Sequence, residues 1–328
     1  MTTPQSPQGP HDPQGPRSAD SPEAAPAARQ PHGLIPILAT PFTAAGDLDL
    51  PSLRTLVDFQ LASGVDGVAV FGMASEGFAL TGAERTAILR TVRATAGPDL
   101  PVVAGVNATS TVTAREQAVR AAEDGADHLM VLPPFLTKPS AGQVLDFYAE
   151  VAAAAPVPVM IQDAPGVTGV GIGVDQITAL AAEPGITSVK VEVPAPPAKI
   201  AAVTAAVGRR LAVLGGQNAQ YVIDEADCGA VGTMPACEFS DVLRGLLDAL
   251  GAGDRTTARA AFRRLLPLIH LGIRAGQAWA VHKEVLVHRG VIACPAVRLP
   301  AAPLDAATRR ALDEVLAETA LPAYRPAG

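Results

Sequence analysis

From residue 33 onward, short apolar runs alternate with longer stretches whose apolar residues recur at helical spacing. The runs occupy positions 34–40, 67–72, 101–106, 128–132, 157–162, 186–190, 211–215 and 230–234. They are rich in β-branched residues and nearly free of polar interruption, the mark of strands covered on both faces, as in a parallel sheet. The stretches between them carry helix start signals. Pro51 follows Asp49-Leu50 at a first helical position. Thr81 with Glu84, Thr113 with Glu116 and Ser140 with Gln143 have capping-box spacing. Gly64 and Gly125 mark helix ends.

Eight such strand–helix units in about 200 residues predict an α/β fold, a closed (β/α)8 TIM barrel. An open doubly wound sheet would carry a glycine-rich phosphate loop after its first strand. The chain has Thr40-Pro41-Phe42-Thr43 there instead. After Glu238 the strand signal ends, and 239–250, 254–274, 277–289 and 304–319 read as helices. The expected division is a barrel over 33–238 and a C-terminal helical extension over 239–328. Residues 1–32 hold eight prolines and almost no large apolar side chains. Such a segment cannot offset its ordering entropy by burial and is expected to be a disordered tail.

Composition narrows the function. The 328 residues are 48% hydrophobic, enough for a large core, and the net charge is −7. That charge argues against nucleic acid as a partner. No apolar stretch reaches the ~18 residues of a membrane span. Cys228, Cys237 and Cys294 form neither a disulfide framework nor a metal-ligand spacing, so a cytoplasmic protein with no metal and no cofactor is expected. The histidines suggest no site: His270, His282 and His288 fall in extension helices and are expected to be packing or surface residues.

Of 25 basic residues only four are lysines: Lys138, Lys190, Lys199 and Lys283. Lys190 lies in Ile186-Thr187-Ser188-Val189-Lys190-Val191, a buried strand by its pattern. An ammonium there is costly unless it is paired or loses its proton. A lysine so placed can act as an amine nucleophile and form a Schiff base with a carbonyl, which arginine cannot do. In a barrel of this kind the chemistry lies at the C-terminal strand ends. That rule gathers Gly72 to Gly77, Gln162, Lys190, Glu192, Gly215 to Asn218, Thr233 and Glu238 into one cluster. Glu192 falls on the same strand face as Lys190, as ion-pair partner or general base, and Glu238 is a further acid/base candidate.

From about Gly33 to its C-terminus the chain resembles the dihydrodipicolinate synthase / N-acetylneuraminate lyase family of class I pyruvate aldolases. The resemblance is carried by Ile37-Leu38-Ala39-Thr40-Pro41-Phe42, by Gly72…Glu76 followed by Leu80-Thr81, and by Lys190 on strand 6. Gly229-Ala230-Val231-Gly232-Thr233 and Lys283…Gly290…Arg298-Leu299-Pro300 complete it. It implies that Lys190 is the Schiff-base lysine and that backbone N–H groups of Ala74 and Ser75 bind the carboxylate of a 2-keto acid. Gln162 and Thr233 are the other expected substrate contacts, and a homotetramer built as a dimer of dimers is implied, with the apolar run 265–269 as interface surface.

The departures from the family pattern carry information. Met73 and Ala74 stand where two hydroxyl residues are usual. Gln162 replaces the tyrosine proton shuttle of the synthases, and Val167 replaces an arginine that binds a second substrate carboxylate. Phe135-Leu136 replaces paired tyrosines. These features point away from lysine-biosynthetic condensation. Pro133-Pro134-Phe135-Leu136 and Gln162-Asp163-Ala164-Pro165 are similar to the branch that dehydrates 2-keto-3-deoxy sugar acids. The expected function is dehydration or retro-aldol cleavage of such a compound. The alternatives are a pyruvate-dependent aldolase and a non-catalytic keto-acid-binding barrel.

Overall fold

The computed structural model describes residues 1–2 and 30–325, so the expected tail over 1–32 lies almost wholly outside the described residues. The strands are β1 (Gly33–Leu34), β2 (Val68–Val70), β3 (Val102–Val106), β4 (His128–Val131), β5 (Val159–Asp163), β6 (Ile186–Val191), β7 (Ala212–Gly215) and β8 (Gly232–Thr233). The helices are α1 (Leu50–Ala62), α2 (Gly82–Ala96), α3 (Thr111–Glu123), α4 (Ala141–Ala154), α5 (Pro165–Thr168), α6 (Val174–Leu180), α7 (Pro196–Val207), α8 (Val222–Asp227), α9 (Ser240–Gly251), α10 (Arg255–Gly272), α11 (Ala278–His288) and α12 (Ala306–Thr319).

All eight strands are parallel, in the order β1-β8-β7-β6-β5-β4-β3-β2. β1 is short because Pro36 has no N–H to give the ladder. The ladder resumes beyond it: the N–H of Ile37 donates to Pro235 O at 2.7 Å. On the other side the N–H of Leu38 donates to Ala69 O, and that of Ala69 to Pro36 O, each at 2.8 Å. The same segment therefore joins β8 to β2 and closes the barrel, as the alternation of runs and helices predicts.

Two apolar layers hold this frame. Ile35, Ile37, Val103, Met130, Met160, Leu214 and Met234 fill the barrel interior, and a larger cluster lies between the strands and the helical ring. Side chains alternate between these layers along each strand. Ser188 and Lys190 take the interior face of β6, while Val189 and Val191 face the helices.

The capping boxes at Thr81 and Ser140 form as expected. The one at Thr113 does not. Ser110 caps α3 instead, its hydroxyl accepting from the N–H of Thr113. Ser110 is extended (φ −147°), and the earlier start lets Ala114, Ala118 and Ala121 pack inward from α3.

The boundary of the extension also moves. α9 follows β8 and packs on α1, so it completes the helical ring, and the extension proper is α10 to α12. The run 265–269 is not free interface surface: Leu265, Leu268 and Ile269 are buried in the chain's own core, and only Leu266 and Pro267 are exposed. Helical geometry decides this, because residues three and four apart share the inward face. Among the described residues no helix is long and apolar enough to cross a membrane.

Candidate active site

A cavity of about 330 Å³ opens at the C-terminal end of the strands. Lys190 and Glu192 line its barrel side, and Ile37, Met73, Ala74 and Met234 lie around them. Gly272, Arg274, Trp279 and His282 reach it from the extension. Lys190 is 3% exposed, and its Nζ lies 3.0 Å from Glu192 Oε1. The expected strand continuation is real: the N–H of Glu192 donates to Asp163 O, which keeps Glu192 on the face of Lys190.

Glu192 is held from three directions. It meets Lys190, accepts from Gln162 Nε2 at 2.8 Å and accepts from the N–H of Gln217 at 3.3 Å. Burial pushes its carboxyl up, but the charge of Lys190 and these hydrogen bonds outweigh burial and leave it below the usual carboxylate range. It is therefore a firmly ionised counter-charge. Such an anion keeps the buried ammonium tolerable and sits where a proton can pass to or from the lysine nitrogen.

The other lysines are committed elsewhere. Lys138 donates to Thr168 O. Lys199 pairs with Asp163 and donates to Ile172 O. Lys283 is fully buried, pairs with Glu76 and donates to Ala296 O. Only Lys190 faces the cavity.

The turn after β2 is braced on several sides. Asn107 Nδ2 donates to Phe71 O, the Thr40 hydroxyl to Ser75 O, and Trp279 Nε1 to Met73 O at 2.6 Å. Glu76 adopts φ +52° and is locked by Lys283 and by the N–H of Arg298. These contacts make Glu76 a brace of the turn. The expected nest is met only in part. Ala74 lines the cavity, but the N–H of Ser75 donates back to Gly72 O at 3.1 Å and Ser75 lies behind the wall.

Three further expectations need correction. Gln162 does not line the cavity; register sets it beside Lys190, where its amide reaches Glu192 and orients it. Thr233 pairs with Gly215 and Leu34 on the face turned to the helices, away from the cavity. Strand alternation explains this, since its neighbour Met234 takes the interior face. Glu238 is fully buried and does not line the cavity either; its Oε1 lies 2.8 Å from His282 Nδ1.

His282 is buried, not a surface residue, and it lines the cavity as well as packing on Glu238, whereas His270 and His288 are exposed. Sequence reasoning also missed Arg274 and Trp279. Trp279, His282 and Lys283 share one face of α11 at i, i+3 and i+4. A tryptophan on that stripe was the available signal, being the only one in the chain.

Glu225 is the other hidden group. It is 1% exposed, and burial, reinforced by the charge of Glu192, pushes its carboxyl up to about 8. The two carboxylates flank the end of β7. A Cβ at Gly215 would fall 1.8 Å from Glu225 Oε2, and one at Gly216 would fall 2.6 Å from Glu192 Oε1. The glycine pair is what admits both acids.

The geometry matches known proteins over most of the chain. The model of the Dihydrodipicolinate synthetase family matches residues 30–319. A 4-hydroxy-tetrahydrodipicolinate synthase 1 of Streptomyces coelicolor is 34% identical over 284 residues, 85% of this chain and 89% of the relative. An L-2-keto-3-deoxyarabonate dehydratase of Azospirillum brasilense is 31% identical over 295 residues, 85% and 92% of the two chains. The crystal structure of a putative dihydrodipicolinate synthetase from Pseudomonas aeruginosa superposes with a TM-score of 0.83 at 29% identity, covering 88% of this chain and all of that one.

Proposed function

The chain belongs to the dihydrodipicolinate synthetase family and is a lyase of the aldolase and dehydratase type; on that premise we propose that Lys190 forms the Schiff base with a 2-keto acid and that the substrate is a 2-keto-3-deoxy sugar acid, dehydrated or cleaved by retro-aldol reaction. The observation that carries the reading is Lys190 itself, the one lysine that faces the cavity, ion-paired at 3.0 Å to Glu192. The iminium formed there withdraws electrons from the adjacent carbon, so a proton or a carbon fragment can leave it. The keto-acid carboxylate docks at the turn bearing Ala74, and Gln162 acts through Glu192. The protein is taken to be cytoplasmic and a homotetramer, which sedimentation at micromolar concentration tests; a monomer would refute the assembly.

The wall of the cavity favours this substrate class over condensation with a second substrate, an aldehyde that carries its own carboxylate. Among the described residues no tyrosine lines it: the Tyr148 hydroxyl donates to Val131 O behind β4. Val167 puts an alkyl group on the rim. Borohydride with pyruvate, followed by peptide mass spectrometry, tests the covalent step; an unmodified Lys190 refutes it. A panel of 2-keto-3-deoxy acids, including 2-keto-3-deoxyarabonate, tests the substrate class. Faster condensation of pyruvate with aspartate semialdehyde than turnover of any panel member refutes that part.

A further inference from the structure

We infer that His282 is the catalytic residue that moves the substrate's proton, held in position by Glu238; this rests on the Schiff-base reading of Lys190. Among the described residues four titratable side chains line the cavity: Lys190, Glu192, Arg274 and His282. The nitrogen of Lys190 becomes the iminium. Arginine keeps its proton. Glu192 is saturated by Lys190, Gln162 and Gln217 and is firmly ionised, which makes it a weak base. The imidazole is what remains, and it is the side chain suited to proton transfer near neutral pH.

The surroundings of His282 fit the task. Glu238, fully buried, accepts at Oε1 from Nδ1–H at 2.8 Å, which leaves Nε2 as the basic nitrogen. Nε2 has no protein partner among the described residues. A carboxylate that fixes the tautomer of an imidazole is the arrangement that general bases use. Gly272 makes room: a Cβ there would fall 2.8 Å from His282 Cε1 and 2.6 Å from Asn218 Nδ2. Asn218 spends its Oδ1 on the N–H of Ala236 at 3.1 Å, while its buried Nδ2 has no partner and offers a donor for a substrate oxygen. α11 and the end of α10 thus supply the group that Gln162 cannot.

In the step assigned, Nε2 takes a proton from the carbon next to the iminium carbon. The C–H pair becomes the carbon–carbon double bond of an enamine, and the iminium π pair returns to the Lys190 nitrogen. In dehydration the imidazolium then gives that proton to the hydroxyl on the next carbon. The C–O bond breaks, water leaves, and the enamine electrons move out to form the new double bond.

Pyruvate alone tests this, because its methyl protons exchange with D2O only through the enamine. Wild-type enzyme should exchange them, followed by proton NMR, and should be trapped on Lys190 by borohydride. His282→Asn should keep the trapped adduct and lose at least tenfold in exchange rate. Glu238→Gln, which preserves shape, should slow exchange, because the imidazole loses the carboxylate that fixes its tautomer. Glu238→Asp should restore part of that rate. Wild-type exchange in His282→Asn overturns the inference. If His282→Asn does not fold, as read by circular dichroism, wild-type exchange in Glu238→Gln overturns it. No trapping in wild type would instead mean that the Schiff-base premise has failed, and the inference falls with it.

Discussion

Strand β6 and helix α11 both present polar side chains to one cavity, but by different physical routes. On β6 the period of two sets Ser188, Lys190 and Glu192 on the interior face while Val189 and Val191 feed the outer core. On α11 the period of 3.6 sets Trp279, His282 and Lys283 on one stripe, each bonded to a different part of the barrel rim. The strand delivers a cavity-facing lysine and its counter-charge from a rigid frame. The helix delivers a brace, an imidazole and a buried anchor from outside that frame. Polar residues in an apolar strand stand out in a sequence; polar residues at helical spacing look like an ordinary solvated face.

The sharpest way to break the comparison is at Lys190. Lys190→Arg keeps the charge beside Glu192 and removes the deprotonatable amine, so the fold should survive while trapping and turnover vanish. Residual turnover above about a thousandth of wild type would show that β6 does not supply the nucleophile.

On the helix side, Lys283→Met should cost about 3–5 kcal/mol, because it strands the fully buried carboxylate of Glu76. Adding Glu76→Gln should recover part of that loss. Urea unfolding of both variants checks this, and a cost under 1 kcal/mol for the single change would show that the anchor holds little.

Glu225, on α8 behind the end of β7, tests the barrel through pH. Its carboxyl is raised from 4.5 to about 8 in the folded state. The folded chain therefore holds a proton that the unfolded chain releases between those values. Stability should fall as pH rises from 4.5 to about 8 and then level off, by a few kcal/mol in order of magnitude. Glu225→Gln should flatten that slope. Equal slopes for the variant and wild type in denaturant titrations at several pH values would refute the protonated state.

The two smallest effects sharpen the roles. If the site lacks a cation for a second carboxylate, Val167→Arg should improve binding of aspartate semialdehyde about ten- to a hundredfold, the 1.5–3 kcal/mol of a charged hydrogen bond. An unchanged half-saturation concentration would place that subsite elsewhere. Trp279→Phe removes the hydrogen bond to Met73 O and should cost about 1 kcal/mol, read as a several-fold rise in the pyruvate concentration that half-saturates trapping. No change would mean that the turn holds its shape without α11.

The sequence alone determined the barrel, its eight strands and the place of Lys190 and Glu192. Local forces govern these features: burial on both faces makes a parallel strand apolar, and period-two alternation tells which residues share a face. It also identified the four helices after β8. Only the tertiary structure decided that Gln162 stands behind the wall at Glu192 and that Glu238 reaches the cavity through His282. It also decided that Glu225 lies buried behind a pair of glycines. The reason is common to all of them. Each depends on which surface a distant segment covers, and Glu238 and His282 lie 44 positions apart in the chain. Spacing along one element cannot encode a meeting of two.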